Sequence, residues 1–429
     1  MCPPLPMNRQ RPAVPRSCLL FGYCGNRNTG SDVRMLTIID DVRAVFGPET
    51  LVTVVSQDRE VTRQVVSEGP HLQIVEIPFG EPLLFGNRVQ RQVMKHDATF
   101  LIEGSALQQN FSPWLLYAYL WTAFTAWLAG RPCIAYAVDV GNMTPFNRWL
   151  VVRACGFMDL VITRTERARE RLLAMGFRGR VLSNTDTAFQ YLSHSAASPQ
   201  PPRERPLVGI APIEFYHWPV QLRLWGRRED RYRWPYHFTW TAEGRRRSRE
   251  LIGVYAAFVE ECLDQRGLDV ALIAMEQLDT RFCEQILEAL PAHLRPRVRL
   301  VSSRETPPVE MTPFLRGLDF LVTSRYHASV LSLAGGVPQL AIAHDERIES
   351  IYREAGIVED CLLPHQAADL TQRLSTAFTR LQARRGEMRQ HLLTMYHEQF
   401  LPRCLHNRAD LQTWVAQRKA ALSPAIGST

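Results

Sequence analysis

Lysine is almost absent from this chain, which carries its positive charge on arginine. Only Lys95 and Lys419 stand among the fifty basic residues, and the formal net charge is +7. Arginine binds carboxylates and phosphates through two parallel hydrogen bonds, so the bias agrees with anionic ligands, and equally with the base composition of a genome. No recognised nucleic-acid-binding module is present and acids are interspersed with the basic residues, so we expect no nucleic-acid partner.

Paired cysteines are absent as well. The nine cysteines are scattered and form no C-x-x-C pair, which argues against both a zinc site and a disulfide framework. We therefore expect no bound metal and a cytoplasmic location, where thiols stay reduced.

Long apolar runs are also missing. Residues 1–17 lack the apolar core of a signal peptide and are predicted to form a flexible, proline-rich N-terminal tail. The most apolar stretch, residues 114–130, is short for a membrane span and is better explained as a buried helix. We expect no transmembrane segment, but the aromatic residues of this stretch leave peripheral contact with a membrane surface open.

The sequence contains neither a G-x-G-x-x-G nor a Walker loop. The first apolar run leads instead into a turn with Gly25, Asn28 and Gly30, and a helical pattern begins at Asp32. Such a turn can bring backbone N–H groups close to an anion or a sugar hydroxyl. For this element taken alone, a purely structural turn is the better explanation.

Apolar runs that end in a polar or glycine corner and lead into a helical pattern recur along the chain. They predict an α/β fold of two Rossmann-like domains, with parallel sheets and a ligand cleft between the domains. The predicted parts are a tail at 1–17, an N-terminal domain at 18–192, a proline-rich linker at 193–206, a C-terminal domain at 207–395 and a helical tail at 396–429.

The strongest site signal follows the predicted strand at 320–323. Arg325 and His327 stand where this strand gives way to a helix, and Arg164 has a similar position after an earlier strand. Ligands of parallel sheets bind beyond the carboxyl ends of the strands, and a helix N-terminus favours an anion. Arg325 and His327 therefore predict a phosphate or carboxylate site, with a capping arginine and a hydrogen-bonded core histidine as the structural alternative.

An aromatic insertion at 214–249 interrupts the second domain. It contains Trp218, Trp225, Trp234 and Trp240, interleaved with tyrosines and arginines. Aromatic rings that stack on sugars, together with arginine, suit an anionic glycan. A packed insertion or an oligomer contact is the alternative, because tryptophan and arginine are also enriched at interfaces. The oligomeric state stays unknown at this point.

Four segments carry a family resemblance. They read GYCGNRNTGSD at 22–32, DLVITRTERARERLLAMGF at 159–177, NTDTAF at 184–189 and DFLVTSRYHASVLSLAGGVPQLAIAHDERI at 319–348. In order and spacing they resemble the polysaccharide pyruvyl transferases. The first segment is similar to the family's GYxGxxNxGDE pattern, with Asp32 shifted against the acidic pair, and the last is similar to its strand, Arg-Leu-His, helix and Gly-Val-Pro.

The resemblance implies a glycosyltransferase B-like architecture and a transferase that moves the pyruvyl group of phosphoenolpyruvate onto sugar hydroxyls, commonly as a ketal. It implies a glycan or lipid-linked sugar as acceptor and no cofactor. Arg325 and His327 are carried over as catalytic residues and Arg164 as a donor-binding residue. The other substrate-binding candidates are Asn28, Gly30, Asp32, Glu103, Ser105, Asp139, Asp345 and Arg347.

Two corners of the first domain depart from the family pattern. Residues 103–105 and 137–141 replace glycine-rich stretches, which leaves the acceptor and the activity itself open. We predict His327 as proton donor or phosphate-binding cation, while the base stays open among Glu103, Asp139 and Asp345. A glycosyltransferase using a nucleotide sugar, or a noncatalytic glycan-binding homologue, is the alternative function.

Overall fold

The computed structural model describes residues 13–193 and 203–422. Most of the predicted tail at 1–17, the greater part of the predicted linker at 193–206 and the end of the predicted tail at 396–429 lie outside these residues. Within them the chain forms two parallel sheets with helices on both faces, which confirms the predicted α/β class.

The N-terminal half builds a seven-stranded sheet. Its strands are β1 (Ser17–Cys24), β2 (Leu51–Ser56), β3 (Leu72–Glu76), β4 (Ala98–Leu101), β5 (Cys133–Val138), β6 (Leu160–Thr163) and β7 (Val181–Ser183). Its helices are α1 (Thr29–Phe46), α2 (Arg59–Arg63), α3 (Pro82–Lys95), α4 (Pro113–Leu128), α5 (Pro145–Cys155) and α6 (Glu166–Ala174). The strand order is β3-β2-β1-β4-β5-β6-β7, and every pair is parallel.

The C-terminal half begins with β8 (Leu207–Ala211) and the short insertion strands β9 (Gln221–Leu222), β10 (Arg231–Arg233) and β11 (Tyr236–His237). It continues with α7 (Ala242–Asp264), β12 (Asp269–Ala274), α8 (Gln277–Ala289), β13 (Val298–Ser302), α9 (Pro308–Arg316), β14 (Phe320–Thr323), α10 (Tyr326–Leu333), β15 (Gln339–Ala343), α11 (Glu346–Glu354), α12 (Val358–Cys361) and β16 (Leu362–Pro364). The parallel order is β13-β12-β8-β14-β15-β16.

Burial explains why these strands form. In β4, β5, β6 and β14 every residue is buried, because helices cover both faces of each sheet. Strands covered on both sides are expected to read as continuous apolar runs rather than alternating ones. These continuous apolar runs are the pattern from which the sequence analysis predicted parallel sheets.

Each sheet has one point where the direction of winding reverses. In the first sheet it lies between β1 and β4, and in the second between β8 and β14. Crevices at such points, outside the carboxyl ends of the strands, are where ligands bind in open α/β sheets. The loops after these four strands therefore position the candidate site.

Three helices lie at the end of the described part of the chain: α13 (Leu370–Ala383), α14 (Arg385–Met395) and α15 (Leu401–Leu422). The last one packs against the N-terminal sheet, where Leu411, Trp414 and Val415 join the core around Met35. Arg408 Nε donates to Oδ1 of Asp41 in α1 over 2.8 Å. The predicted C-terminal tail is thus, where described, an element of the first half.

None of the described helices is both long and apolar enough to cross a membrane. Eight of the nine cysteines lie in the described part of the chain, and all eight are buried and unpaired. Among the described residues no group of three or more His, Cys, Asp or Glu side chains has a metal-binding arrangement.

Candidate active site

A cavity of about 390 Å³ lies between the two sheets, at the point of reversal of each. The first half contributes the loops after β1 and β4 and one face of α4. The second half contributes the corners after β8, β12, β14 and β15, and part of the insertion. The volume is in the usual range of small-molecule sites.

The first loop closes the cavity by contacting the other half of the protein. Thr29 N donates to the carbonyl of Met275 over 2.9 Å, and Ser303 Oγ donates to the carbonyl of Arg27 over 2.7 Å. Asn28 caps α1 through its side chain, which accepts from Ser31 N. The glycine turn therefore brings the start of α1 to the end of β12.

Arg325 lines the cavity between two carboxylates. Its backbone N–H donates to Thr323 Oγ1, which fixes the corner after β14. Its guanidinium pairs with Asp279, and with Glu276 Oε2 at 3.0 Å. Burial lowers the pKa of Arg325, but these carboxylates outweigh it and raise that pKa above the ordinary value, so the cation is permanent. The side chain keeps 15% of its surface exposed.

His327 reaches the cavity from the second position of α10. Its Nε2 lies 3.5 Å from Oδ2 of Asp186. A Cβ at Gly30 would overlap Nδ1 of the ring, so glycine is required there by the close approach of α1. Burial lowers the pKa of His327 although Asp186 opposes this, which favours the neutral imidazole.

Asp186 lies beneath this corner, fully buried, and joins both halves of the chain. Its Oδ1 forms an ion pair with Arg34 Nη1 at 2.8 Å, and its Oδ2 accepts a hydrogen bond from Arg164 Nη1 at 2.9 Å. Burial alone would raise the pKa of Asp186, but Arg34, His327 and Arg164 hold it well below its usual range. It is therefore an anion that lies beside the His327 ring.

Arg164 is the other strand-end arginine, and its side chain is 1% exposed. Its guanidinium lies between Asp186 and Asp139, whose Oδ2 it reaches at 3.0 Å, and stacks over the ring of Tyr326 at 4.4 Å. A Cβ at Gly104 would overlap its Nη1. Arg164 is thus enclosed below the cavity rather than on its wall.

Two carboxylates face the cavity. Glu103 accepts from Ser105 N over 3.1 Å and from Ser31 Oγ over 3.3 Å. Glu276 accepts from Tyr23 and pairs with Arg325. Either carboxylate is placed to accept a proton from a bound hydroxyl group.

Arg347 lines the cavity from the start of α11. Its Nη1 donates to Ser105 Oγ over 3.2 Å and its guanidinium stacks over Phe111 at 4.8 Å, so it bridges the two halves. Asp345 caps α11 and pairs with Arg347. Burial would raise the pKa of Asp345, but Arg347 and His344 hold it far below its usual range, which makes Asp345 a poor base.

The remaining wall is aromatic. Trp114 and Trp121 come from α4, and Trp218, Tyr232 and Tyr236 come from the insertion. The hydroxyl groups of Tyr23 and Tyr232 are hydrogen-bonded to each other across the cleft. One end of the cavity is therefore charged and the other is apolar and open.

A family model for polysaccharide pyruvyl transferases matches residues 28–346 of the 429, which contain every residue that lines the cavity except Tyr23 and Arg347. The chain belongs to the polysaccharide pyruvyl transferase family. The predicted resemblance is thereby confirmed, and the family's description is that of transferases acting on polysaccharides. No curated protein sequence matches this pyruvyl transferase family member.

Solved structures agree with the architecture of this family member. The UDP-GlcNAc 2-epimerase of Neisseria meningitidis, bound to UDP-GlcNAc, is 12% identical with a TM-score of 0.59, covering 93% of this chain and 99% of its own. The UDP-N-acetylglucosamine 2-epimerase of Rickettsia bellii is 11% identical with a TM-score of 0.59, covering 96% and 98%. HepE of Anabaena, in complex with UDP and glucose, is 12% identical with a TM-score of 0.55, covering 94% and 99%. These likenesses show the fold, and they confirm two Rossmann-like domains of the glycosyltransferase B type.

The predicted site residues of this pyruvyl transferase family member separate into two groups. Those that line the cavity are Arg325, His327, Asn28, Gly30, Glu103, Ser105 and Arg347. Those that lie outside its lining are Arg164, Asp32, Asp139 and Asp345. Arg164 therefore does not share one open pocket with Arg325 and His327, although Asp186 links it to His327. The roles predicted for all of these residues stay predictions.

Three lining or supporting groups were missed by the sequence reasoning. Glu276 follows the end of β12, so the strand-end rule could have found it. His344 lies two residues before α11 and lines the cavity, where burial lowers its pKa to about 4. Asp186 lies in the segment 184–189 that carried part of the resemblance, but nothing in the sequence reveals that it contacts His327.

Proposed function

We propose that this protein transfers the pyruvyl group of phosphoenolpyruvate to sugar hydroxyls of a polysaccharide or a glycan precursor, forming a ketal. The observation that carries the proposal is the cavity at both points of reversal, where Arg325, Arg347 and His327 meet the carboxylates Glu103 and Glu276. Family membership supports a transferase that acts on polysaccharides.

The charged end of the cavity suits a small polyanion. Arg325 and Arg347 are permanent cations that belong to different corners of the same domain, so together they can hold a carboxylate and a phosphate of one donor. Both are already paired with carboxylates, which positions them before the donor binds. The start of α10 adds backbone N–H groups at the same corner.

His327 is the proposed proton donor. Burial lowers its pKa, and a bound polyanion would stabilise the imidazolium and reverse that shift. The proton moves to the methylene carbon of phosphoenolpyruvate, so that carbon becomes a methyl group and its neighbour becomes electrophilic. Asp186 Oδ2 lies 3.5 Å from Nε2 of this ring, and its charge stabilises the imidazolium.

Two sugar hydroxyls complete the reaction. The first adds to the electrophilic carbon as its proton passes to a base, for which Glu103 is the predicted candidate that lines the cavity. The second hydroxyl attacks the same carbon, the bond from that carbon to the phosphate oxygen breaks, and the leaving phosphate takes up the proton of the second hydroxyl. The aromatic end of the cavity, with Trp218 and Tyr232, would receive the sugar rings.

The test begins with the donor alone. Isothermal titration of the purified protein with phosphoenolpyruvate should give binding, and Arg325→Met should abolish it. Arg384 is exposed at the start of α14 and does not line the cavity, so Arg384→Met is the matched control. This variant should bind phosphoenolpyruvate as the native protein does. Turnover is then followed as phosphate release with a panel of glycans and lipid-linked sugars.

Either of two results would refute the proposal. If nucleotide sugars bind and release nucleotide while phosphoenolpyruvate neither binds nor releases phosphate, the protein is a glycosyltransferase. Binding of glycans without any turnover of either donor would indicate the noncatalytic alternative.

A further inference from the structure

One face of the N-terminal half exposes an unusual amount of apolar surface. Helices α3, α4 and α5 cover the same side of the first sheet, and their inner residues share one core. On their outer side, large apolar side chains stand in solvent: Leu84, Met94, Trp114, Trp121, Leu128, Phe146 and Trp149, each between 40% and 61% exposed. We call these seven residues the aromatic face.

The aromatic face is ordered as a stripe and not scattered. Trp114, Trp121 and Leu128 are spaced by seven residues, which places them on one side of α4. On α5, Phe146 and Trp149 stack at 6.2 Å between ring centroids. Groups of exposed large apolar side chains mark interaction sites in soluble proteins.

The charge of the same helices is of one sign. The 14 residues of α3, the 16 of α4 and the 11 of α5 include no Asp or Glu. Their charged residues are Arg88, Arg91, Lys95, Arg148 and Arg153. Arg88 pairs with Glu81 just outside α3, and Arg153 lies over the Trp149 ring at 5.7 Å. An exposed tryptophan face flanked by cations and free of acids is complementary to an anionic lipid surface.

The aromatic face also continues into the cavity. Trp114 and Trp121 belong to both, and Trp121 Nε1 donates to the Gly86 carbonyl on α3, which also lines the cavity. A surface that docked this face would therefore lie at the open, apolar end of the site.

We propose that the α3–α4–α5 face docks on the surface of an anionic phospholipid bilayer, with its tryptophans at the level of the headgroups and its arginines on the lipid phosphates. The inference does not depend on the proposed function, because binding to lipid needs no donor and no turnover. Docking would also place the cavity close to an acceptor that is anchored in the same bilayer. Such an acceptor would enter the cavity from its apolar end.

The experiment is co-sedimentation of the full chain with vesicles. We expect binding to vesicles of phosphatidylglycerol and phosphatidylcholine in a 3:7 ratio, at least tenfold stronger than to pure phosphatidylcholine, since each basic residue near such a surface contributes about fivefold. Raising the salt concentration to about 0.5 M should remove this preference.

Two double variants separate the apolar and charged contributions. Phe146→Ser with Trp149→Ser should weaken partitioning at least tenfold on both vesicle types, and Arg148→Glu with Arg153→Glu should remove the preference for the anionic type. None of these four residues lines the cavity. The matched control is Val309→Ser with Leu405→Ser, 55% and 41% exposed and outside α3, α4 and α5, which should bind as the native protein does.

Three results would overturn the inference. The native protein does not sediment with anionic vesicles, or the α5 variants sediment as the control does. The third is a concentration-dependent dimer that the Phe146 and Trp149 changes dissociate, which would assign the face to a second copy of the chain. A thermal-unfolding scan of each variant verifies its fold, and the salt titration of the native protein needs no variant.

Discussion

Two arginines of this protein have equivalent positions, between a strand and a helix, but one side chain is enclosed and the other lines the cavity. Arg164 follows β6 and Arg325 follows β14, each is paired with two carboxylates, and a helix starts after each. Arg164 is 1% exposed and enclosed, whereas Arg325 is 15% exposed and lines the cavity.

The difference comes from strand order. β14 is a neighbour of β8, at the point where the second sheet reverses, so its corner opens into the crevice. β6 is two strands away from β4, near the edge of the first sheet, and its corner is covered by Tyr326 from the other half. The corners after β8, β12, β14 and β15 reach the cavity at or beside this reversal, whereas the corner after β6 does not.

The largest effect we expect is on stability, from Arg164→Met. The change leaves Asp139 without its partner and removes one of the cations that hold Asp186, and breaking a buried ion pair typically costs about 3–5 kcal/mol. Urea unfolding measures the loss. Arg169→Met, at a half-exposed pair on α6, is the control and should cost less than about 0.5 kcal/mol. A stable Arg164→Met protein that no longer binds donor would place both arginines in one role and break the comparison.

The next effect is on catalysis, from His327→Gln. Removing the proton donor should lower turnover about 100-fold or more, while Gln preserves the packing against Gly30. The measurement is phosphate release at saturating phosphoenolpyruvate, with the unfolding midpoint as control for the fold. Unchanged turnover would show that His327 is not the proton donor. Arg325 would then be the one residue of the corner after β14 with a proposed role in the reaction.

The third effect is on the pH dependence of the free energy of unfolding, through Asp32, which is buried outside the cavity lining. Burial raises the pKa of Asp32 to about 7, with a further increase from Glu276. A carboxyl whose pKa is raised on folding stabilises the protein fully below pH 4 and loses that contribution as the pH rises to 7. Asp32→Asn should therefore gain about 2 kcal/mol relative to the native protein between pH 5 and pH 8, measured by unfolding at both values. A difference independent of pH would contradict the raised pKa.

The smallest effect concerns the fork of Arg325. Arg325→Lys keeps the charge beside Asp279 and Glu276 but loses the second parallel hydrogen bond, so donor affinity should fall about tenfold. Titration with phosphoenolpyruvate gives the value, and the unfolding free energy should change little. Unaltered affinity would move the donor to Arg347 and leave Arg325 as structural as Arg164.

Much of the fold was predictable because a strand buried on both faces consists almost entirely of apolar residues. The fully buried strands β4, β5, β6 and β14 are continuous apolar runs, and the glycine turn at 25–30 marks the corner after β1. The residues after β1, β4 and β14 could be chosen as site candidates for the same reason, and Asn28, Glu103 and Arg325 do line the cavity.

The rest depends on distances that a sequence does not contain. Strand order decides that Arg164 is covered and Arg325 is open, and no local pattern encodes it. Asp186 and His327 are separated by about 140 residues and contact each other only because the domains close on one another. The helical pattern near the chain's end was visible, but its partner, the core around Met35, was not.

The return of α15 to the first sheet has a consequence for synthesis. Leu411, Trp414 and Val415 complete one wall of that core, yet they are made only after the entire second domain. During synthesis the N-terminal domain therefore lacks the residues of α15 that pack on Met35 and Ile38 until the second domain has been translated. The domain that is translated first is the last to complete its core.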